Sequence, residues 1–216
     1  MDKDPNQSPP KSGRNDDQNK GKLSRRGFLK GMGLTTAGTM AVSSGVLAFE
    51  KAEVEEDKVL GPDEVRIKMK VNGHAYHLEV TPRTTLANAL RDHLELTGTK
   101  VVCDRGACSA CTVWLDGKPI NSCLTLALDV GDKEVTTVEG ISKAQELHPV
   151  QQAFIDHDAA QCGYCTPGMI MSAAWIVENV PNPTLEEVKN ALRGNLCRCG
   201  TYPHVFKATM EAAKKG

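Results

Sequence analysis

Eight cysteines constrain this chain more than any other feature, because they fall into two separate groups of four. In the first group, Cys103 and Cys108 are separated by four residues, Cys108 and Cys111 by two, and Cys111 and Cys123 by eleven. The second group is Cys162-x2-Cys165 followed, after 31 residues, by Cys197-x-Cys199. Four thiolates are what an iron–sulfur cluster or a structural zinc takes. Zinc ribbons usually pair two knuckles and rarely use C-x-C, while Cys197 and Cys199 are too close to bridge comfortably as a disulfide. Only two Trp, three Tyr and four Phe serve 216 residues, so a large aromatic core is excluded and the cysteine sites are expected to help hold the fold.

Around these groups the chain divides. Residues 1–22 are rich in Asp, Asn, Gln, Lys, Pro and Gly and show no apolar period, which predicts a disordered tail. The first 30 residues carry eight Lys/Arg against four Asp/Glu, and the rest carries 18 against 23. The basic excess is therefore confined to the head, and the body has no nucleic-acid signature. Over 23–49, Ser24-Arg25-Arg26-Gly27-Phe28-Leu29-Lys30 precedes an uncharged stretch, Gly31 to Phe49, and an acidic segment follows. This layout resembles the twin-arginine export signal, an address for proteins that cross a membrane already folded. Left uncleaved, the stretch would attach the chain to the membrane, although six Gly, Ser or Thr within Thr35–Ser44 oppose stable immersion in lipid. A linker over 50–62 leads to the folded part.

From Asp63, Val65, Ile67, Met69 and Val71 alternate with Arg66, Lys68 and Lys70 as a half-buried strand. Asn72-Gly73 predicts a tight hairpin, and Tyr76, Leu78 and Val80 carry the return strand. Thr85 is expected to cap a helix with the stripe Leu86, Ala89, Leu90, His93 and Leu94, broken by Thr97-Gly98-Thr99. Thr112–Leu115, the Asp116-Gly117 turn and Val135–Val138 complete a small mixed sheet crossed by one helix, in a domain over 63–140. Over 141–216 the period is helical. Val150, Ala153 and Phe154 form one stripe, and Thr166 is expected to cap a second helix opened by Pro167. Thr184 with Glu187 reads as a capping box, Gly194 ends that helix, and a last one runs from Pro203 to Lys214. The expected class is α+β, with about four helices in the second domain.

The spacing C-x4-C-x2-C is that of plant-type 2Fe-2S sites. A loop wrapped round such a cluster must turn backbone N–H groups to its sulfurs, and the small Gly106, Ala107, Ser109 and Ala110 suit that need. Cys123 would close the site from the end of the Thr112–Asn121 hairpin. In the second group, Cys162 and Cys165 precede one helix start, and Cys197 and Cys199 precede another. Two helix starts facing each other would converge four thiolates, with N-terminal dipoles favouring their charge. An export route for folded proteins fits clusters inserted in a reducing cytoplasm, whereas disulfide proteins need no such route. His74, His77, His93, His148, His157 and His204 show no ligand spacing, and no other residue suggests catalysis.

Taken in order, Cys103-Asp104-Arg105-Gly106-Ala107-Cys108-Ser109-Ala110-Cys111, Gln161-Cys162-Gly163-Tyr164-Cys165-Thr166-Pro167-Gly168 and Asn195-Leu196-Cys197-Arg198-Cys199-Gly200-Thr201-Tyr202 resemble the iron–sulfur subunit of molybdenum hydroxylases, the xanthine oxidase and aldehyde oxidoreductase family. The resemblance implies a β-grasp ferredoxin-like domain and an all-α domain. One 2Fe-2S cluster would sit on Cys103, Cys108, Cys111 and Cys123, the other on Cys162, Cys165, Cys197 and Cys199. It further implies that the helical-domain cluster lies beside the molybdopterin of a large partner subunit, with Gln161 and Cys199 nearest the pterin. This chain would make no bonds itself and would pass electrons outward to an FAD-binding subunit or a cytochrome c. The complex would oxidise aldehydes or N-heteroaromatics in the periplasm. Ser109 departs from the usual Gly, and its hydroxymethyl is expected to add a hydrogen bond or crowd the loop. A free-standing periplasmic ferredoxin-like carrier is the alternative, and a second cluster domain suited to docking speaks against it.

Overall fold

Strand alternation and turn chemistry build the first half of the folded chain. The computed structural model describes residues 60–143 and 146–214, which belong to one unit over Lys58–Gly216. The tail over 1–22, the export signal over 23–49 and nearly all of the 50–62 linker lie outside the described residues. Strands β1 (Val65–Val71) and β2 (His74–Val80) pair antiparallel from Val65↔Val80 to Val71↔His74. Asn72 and Gly73 join them at φ of 51° and 81°, the left-handed pair that a two-residue hairpin needs. Met69, Val71, Leu78 and Val80 face inward, and outside them Arg66 pairs with Glu79 at 2.6 Å.

Helix α1 is α-helical over Leu86–Asn88 and π-helical over Ala89–His93. Thr85 Oγ1 caps it, accepting the Asn88 N–H at 3.3 Å. Leu86, Ala89 and Leu90 pack on the sheet as expected. The wider π turn, closed by Leu94 N donating to Ala89 O at 3.2 Å, swings His93 into solvent and off the expected stripe.

Strands β3 (Thr112–Leu115) and β4 (Lys118–Asn121) form a second hairpin, and β5 (Glu134–Thr136) inserts between the two hairpins. The sheet order is β2-β1-β5-β3-β4, with β1 parallel to β5 and the other pairs antiparallel. This is the mixed sheet with one helix across it that a β-grasp fold requires. The strand expected over Val135–Val138 ends at Thr136, because the Thr137 N–H is taken by Asn72 Oδ1 at 2.9 Å.

Four helices follow among the described residues: α2 (Pro149–Asp156), α3 (Thr166–Asn179), α4 (Leu185–Leu192) and α5 (Tyr202–Ala212). His148 with Gln151 and Thr184 with Glu187 form capping boxes on α2 and α4. The cap expected at Thr166 belongs instead to Cys165: Thr166 is the first helical residue, and its Oγ1 is buried without a partner. Helix α3 is buried on nearly every side, since α2, α4, α5 and strand β3 all pack on it. Trp114 of β3 joins that helical core, and its Nε1 donates to the Met171 carbonyl at 2.9 Å. Sheet and helices therefore share one hydrophobic seam.

Candidate metal centres

The loop between α1 and β3 carries Cys103, Cys108 and Cys111, and the turn after β4 carries Cys123. Ser122 fixes that turn, with its Oγ and N donating to the Cys111 carbonyl at 2.7 and 3.3 Å. Asp104, Gly106 and Ser109 adopt φ of 52°, 68° and 52°, which curls the loop round its own sulfurs. Gly106 N–H then donates to Cys123 Sγ and Ala107 N–H to Cys103 Sγ, both at 3.3 Å. The sulfurs meet in two pairs, Cys103 with Cys108 and Cys111 with Cys123. The Arg105 N–H, followed by the Cys108 thiol, draws Cys103 down to about 7. Burial, followed by the Cys111 thiol, pushes Cys123 up to about 11.

The helical half builds its centre from the loops before α3 and α5. Here too the sulfurs pair, Cys162 with Cys199 and Cys165 with Cys197. The Tyr164 N–H, then Cys199, holds Cys162 below the usual thiol range, and the same bond raises Cys199. Burial, then the bond to Cys197, pushes Cys165 up to about 12. Burial also acts upward on Cys197, but the hydroxyl and N–H of Thr201 win and bring it to about 7. The Thr201 Oγ1 lies 3.2 Å from Cys197 Sγ, and the Cys197 N–H donates to the Tyr202 hydroxyl at 2.8 Å. In each pair of the helical centre one sulfur is held low and its partner high, so loading a metal there releases the proton of the latter.

All eight cysteines are free thiols. Among the described residues no three Cys, His, Asp or Glu side chains close round one point as a single metal ion requires. Two cysteine pairs per centre match a two-iron cluster, in which each iron takes two cysteines. With N–H donors aimed at the sulfurs, the residues present fit 2Fe-2S.

Direct contacts join the two centres. Leu196 N, beside Cys197, donates to the Cys108 carbonyl at 3.0 Å. Asn195, 3% exposed, donates through Nδ2 to the Ser109 carbonyl at 3.1 Å. A Cβ on Gly168 would overlap that Ser109 carbonyl and sit 2.9 Å from Ala110 Cα, so only glycine lets α3 approach the loop. A Cβ on Gly194 would lie 3.1 Å from Ser109 Oγ, so the absence of a side chain at 194 gives the Ser109 hydroxymethyl its room. Sequence reasoning missed these bridging roles of Asn195 and Gly168. Asn195 carries a weak signal, an amide placed between a helix stop and a metal ligand, but its acceptor lies 86 positions away.

Gln161 and Cys199 are both exposed on the helical centre. His148, His157 and His204 sit at helix ends. His148 Nδ1 accepts the Val150 N–H at 3.2 Å, and His204 Nδ1 lies 2.9 Å from the His157 carbonyl.

Two family models match the chain: a 2Fe-2S iron-sulfur cluster binding domain over residues 69–137 and a [2Fe-2S] binding domain over 137–210. The aldehyde oxidoreductase iron-sulfur-binding subunit PaoA of Escherichia coli (strain K12) is 38% identical over 206 residues, covering 88% of this chain and 88% of that one. The nicotine 6-hydroxylase small subunit of Paenarthrobacter nicotinovorans is 46% identical over 150 residues, covering 69% of this chain and 90% of its own. Among solved structures, quinoline 2-oxidoreductase from Pseudomonas putida 86 aligns with a TM-score of 0.66 at 42% identity, over 71% of this chain and 98% of that chain.

Proposed function

The chain belongs to the iron–sulfur small subunits of the molybdenum hydroxylases, and we propose that it carries electrons from the molybdopterin site of a large subunit, through two 2Fe-2S clusters in series, to an external acceptor. In this reading residues 63–140 and 141–216 each hold one cluster. Cys103, Cys108, Cys111 and Cys123 would hold the first. Cys162, Cys165, Cys197 and Cys199 would hold the second. Bound there, each cluster accepts and releases one electron at a time.

The observation that carries this reading is the single hydrogen bond from Leu196 N to the Cys108 carbonyl. It links a residue adjoining one ligand set to a ligand of the other, so the two centres are separated by a few covalent bonds and one hydrogen bond. Asn195 clamps the same junction by holding the Ser109 carbonyl. Gln161, Cys162 and Cys199 are exposed beside Tyr164 and Leu196, and this face receives the large subunit, with Gln161 and Cys199 nearest the pterin. Such an outward centre suits a docked subunit better than a free carrier.

Aldehydes or N-heteroaromatics are the substrate class. Aldehydes are favoured by the match to PaoA, whose 88% coverage is more than residues 60–216 alone can supply and so reaches the amino-terminal segment. That segment supports twin-arginine export and a periplasmic complex. The acceptor is an FAD-binding subunit or a cytochrome c. Anaerobic addition of an aromatic aldehyde to the natively purified complex is expected to reduce both clusters, with a molybdopterin subunit copurifying. A chain that elutes alone, near 23.3 kDa, with clusters that neither substrate class reduces, would return the carrier reading.

A further inference from the structure

Arg91 and Lys100 are charges that the electron path leaves unused. Arg91 Nη1 donates to the carbonyls of Thr97 at 3.0 Å and Thr99 at 2.8 Å, and Lys100 Nζ donates to the same Thr97 carbonyl at 2.7 Å. Two cations thus converge on one acceptor, and among the described residues neither has a carboxylate partner. Like charges held this close repel unless negative charge lies near them. Both line a cleft of 440 Å³ that is also lined by Val101, Cys162, Gly163 and Tyr164. The cleft therefore sets cations carried by the ferredoxin-like half against a cysteine of the helical centre.

Resting on the reading that Cys162 binds iron, we propose that Arg91 and Lys100 are positioning residues for electron transfer, whose fixed positive charge across this cleft favours the reduced form of the helical-domain cluster. Reduction brings in one electron from the large subunit's substrate-oxidising site. It adds one negative charge, moves no proton and makes or breaks no bond. The electron then passes to the ferredoxin-like cluster and the charge falls again. A cation facing Cys162 stabilises the more negative state, so the half that receives the electron last helps to draw it in.

The test is a potentiometric titration of the native complex followed by electron paramagnetic resonance at low and high ionic strength. The helical-domain signal is identified as the one that Cys199→Ser removes. Lys100→Gln is the primary variant, because its ammonium holds only one exposed carbonyl, and Arg91→Gln the second. Each is expected to shift the helical-domain reduction equilibrium about threefold towards the oxidised form at low salt, on the scale where tenfold is about 59 mV for one electron. The ferredoxin-like cluster is expected to move less, and high salt to remove most of the effect. Lys100→Arg and Arg91→Lys keep the charge and are expected to keep the potential. An unchanged potential in the Gln variants, an equal shift in both clusters, or the same shift in the charge-conserving variants overturns the proposal. A native complex without any helical-domain signal overturns the cluster reading beneath it.

Discussion

The two cysteine centres use the same ligands and differ in what covers them. In the ferredoxin-like half Cys108, Cys111 and Cys123 are 8%, 2% and 4% exposed, beneath a loop whose N–H groups reach the sulfurs. In the helical half Cys162 and Cys199 are exposed, beside Tyr164 at 62% and Leu196 at 56%. Val102 and Leu124, each next to a ligand of the first centre, are 55% and 65% exposed as well. The contrast lies in the sulfurs themselves: three of the four cysteines are buried in the first centre and none in the second. One fold thus carries a centre with buried ligands and a more open one, joined through Asn195, Leu196 and Gly168.

The strongest way to break this contrast is Cys199→Ser. It is expected to abolish turnover of the complex while the ferredoxin-like cluster keeps its paramagnetic signal; loss of both signals would make the centres one unit. Next in size is Gly168→Val, whose side chain meets the backbone of Ser109 and Ala110. A cost of about 3 kcal/mol is expected, read as a lowered Tm, and an unchanged Tm would mean that the two halves can part freely. Trp114→Phe removes the bond to the Met171 carbonyl and is expected to cost about 2 kcal/mol in denaturant titration. After iron removal, alkylation followed by peptide mass spectrometry sharpens the contrast in exposure. Cys162 and Cys199 should react about tenfold faster than Cys111 and Cys123, and equal rates would erase the difference. The smallest effect is expected for Ser109→Gly, which relieves a side chain held at φ 52° and should raise stability by no more than about 1 kcal/mol.

Much of this architecture is legible in the sequence because it depends on neighbours along the chain. Asn72-Gly73 fixes a hairpin by local dihedral preference, Thr184 and Glu187 cap a helix three residues apart, and each ligand set can be counted from its spacing. What escapes such reading is fine local geometry and contact with distant partners. The π turn that exposes His93 is not written in any short pattern. The shift of the α3 start from Thr166 to Cys165 is a one-residue matter of cap geometry. Nothing near Trp114 says that it enters the helical core, nor does anything near Gly168 say that it must admit the Ser109 loop. Such contacts join segments more than fifty positions apart, and they give the two centres their common junction.

The most direct measurement is iron and acid-labile sulfide per chain on anaerobically purified native protein. Two 2Fe-2S clusters require about four of each. Zinc without sulfide, or thiols without metal, would contradict the account at its centre.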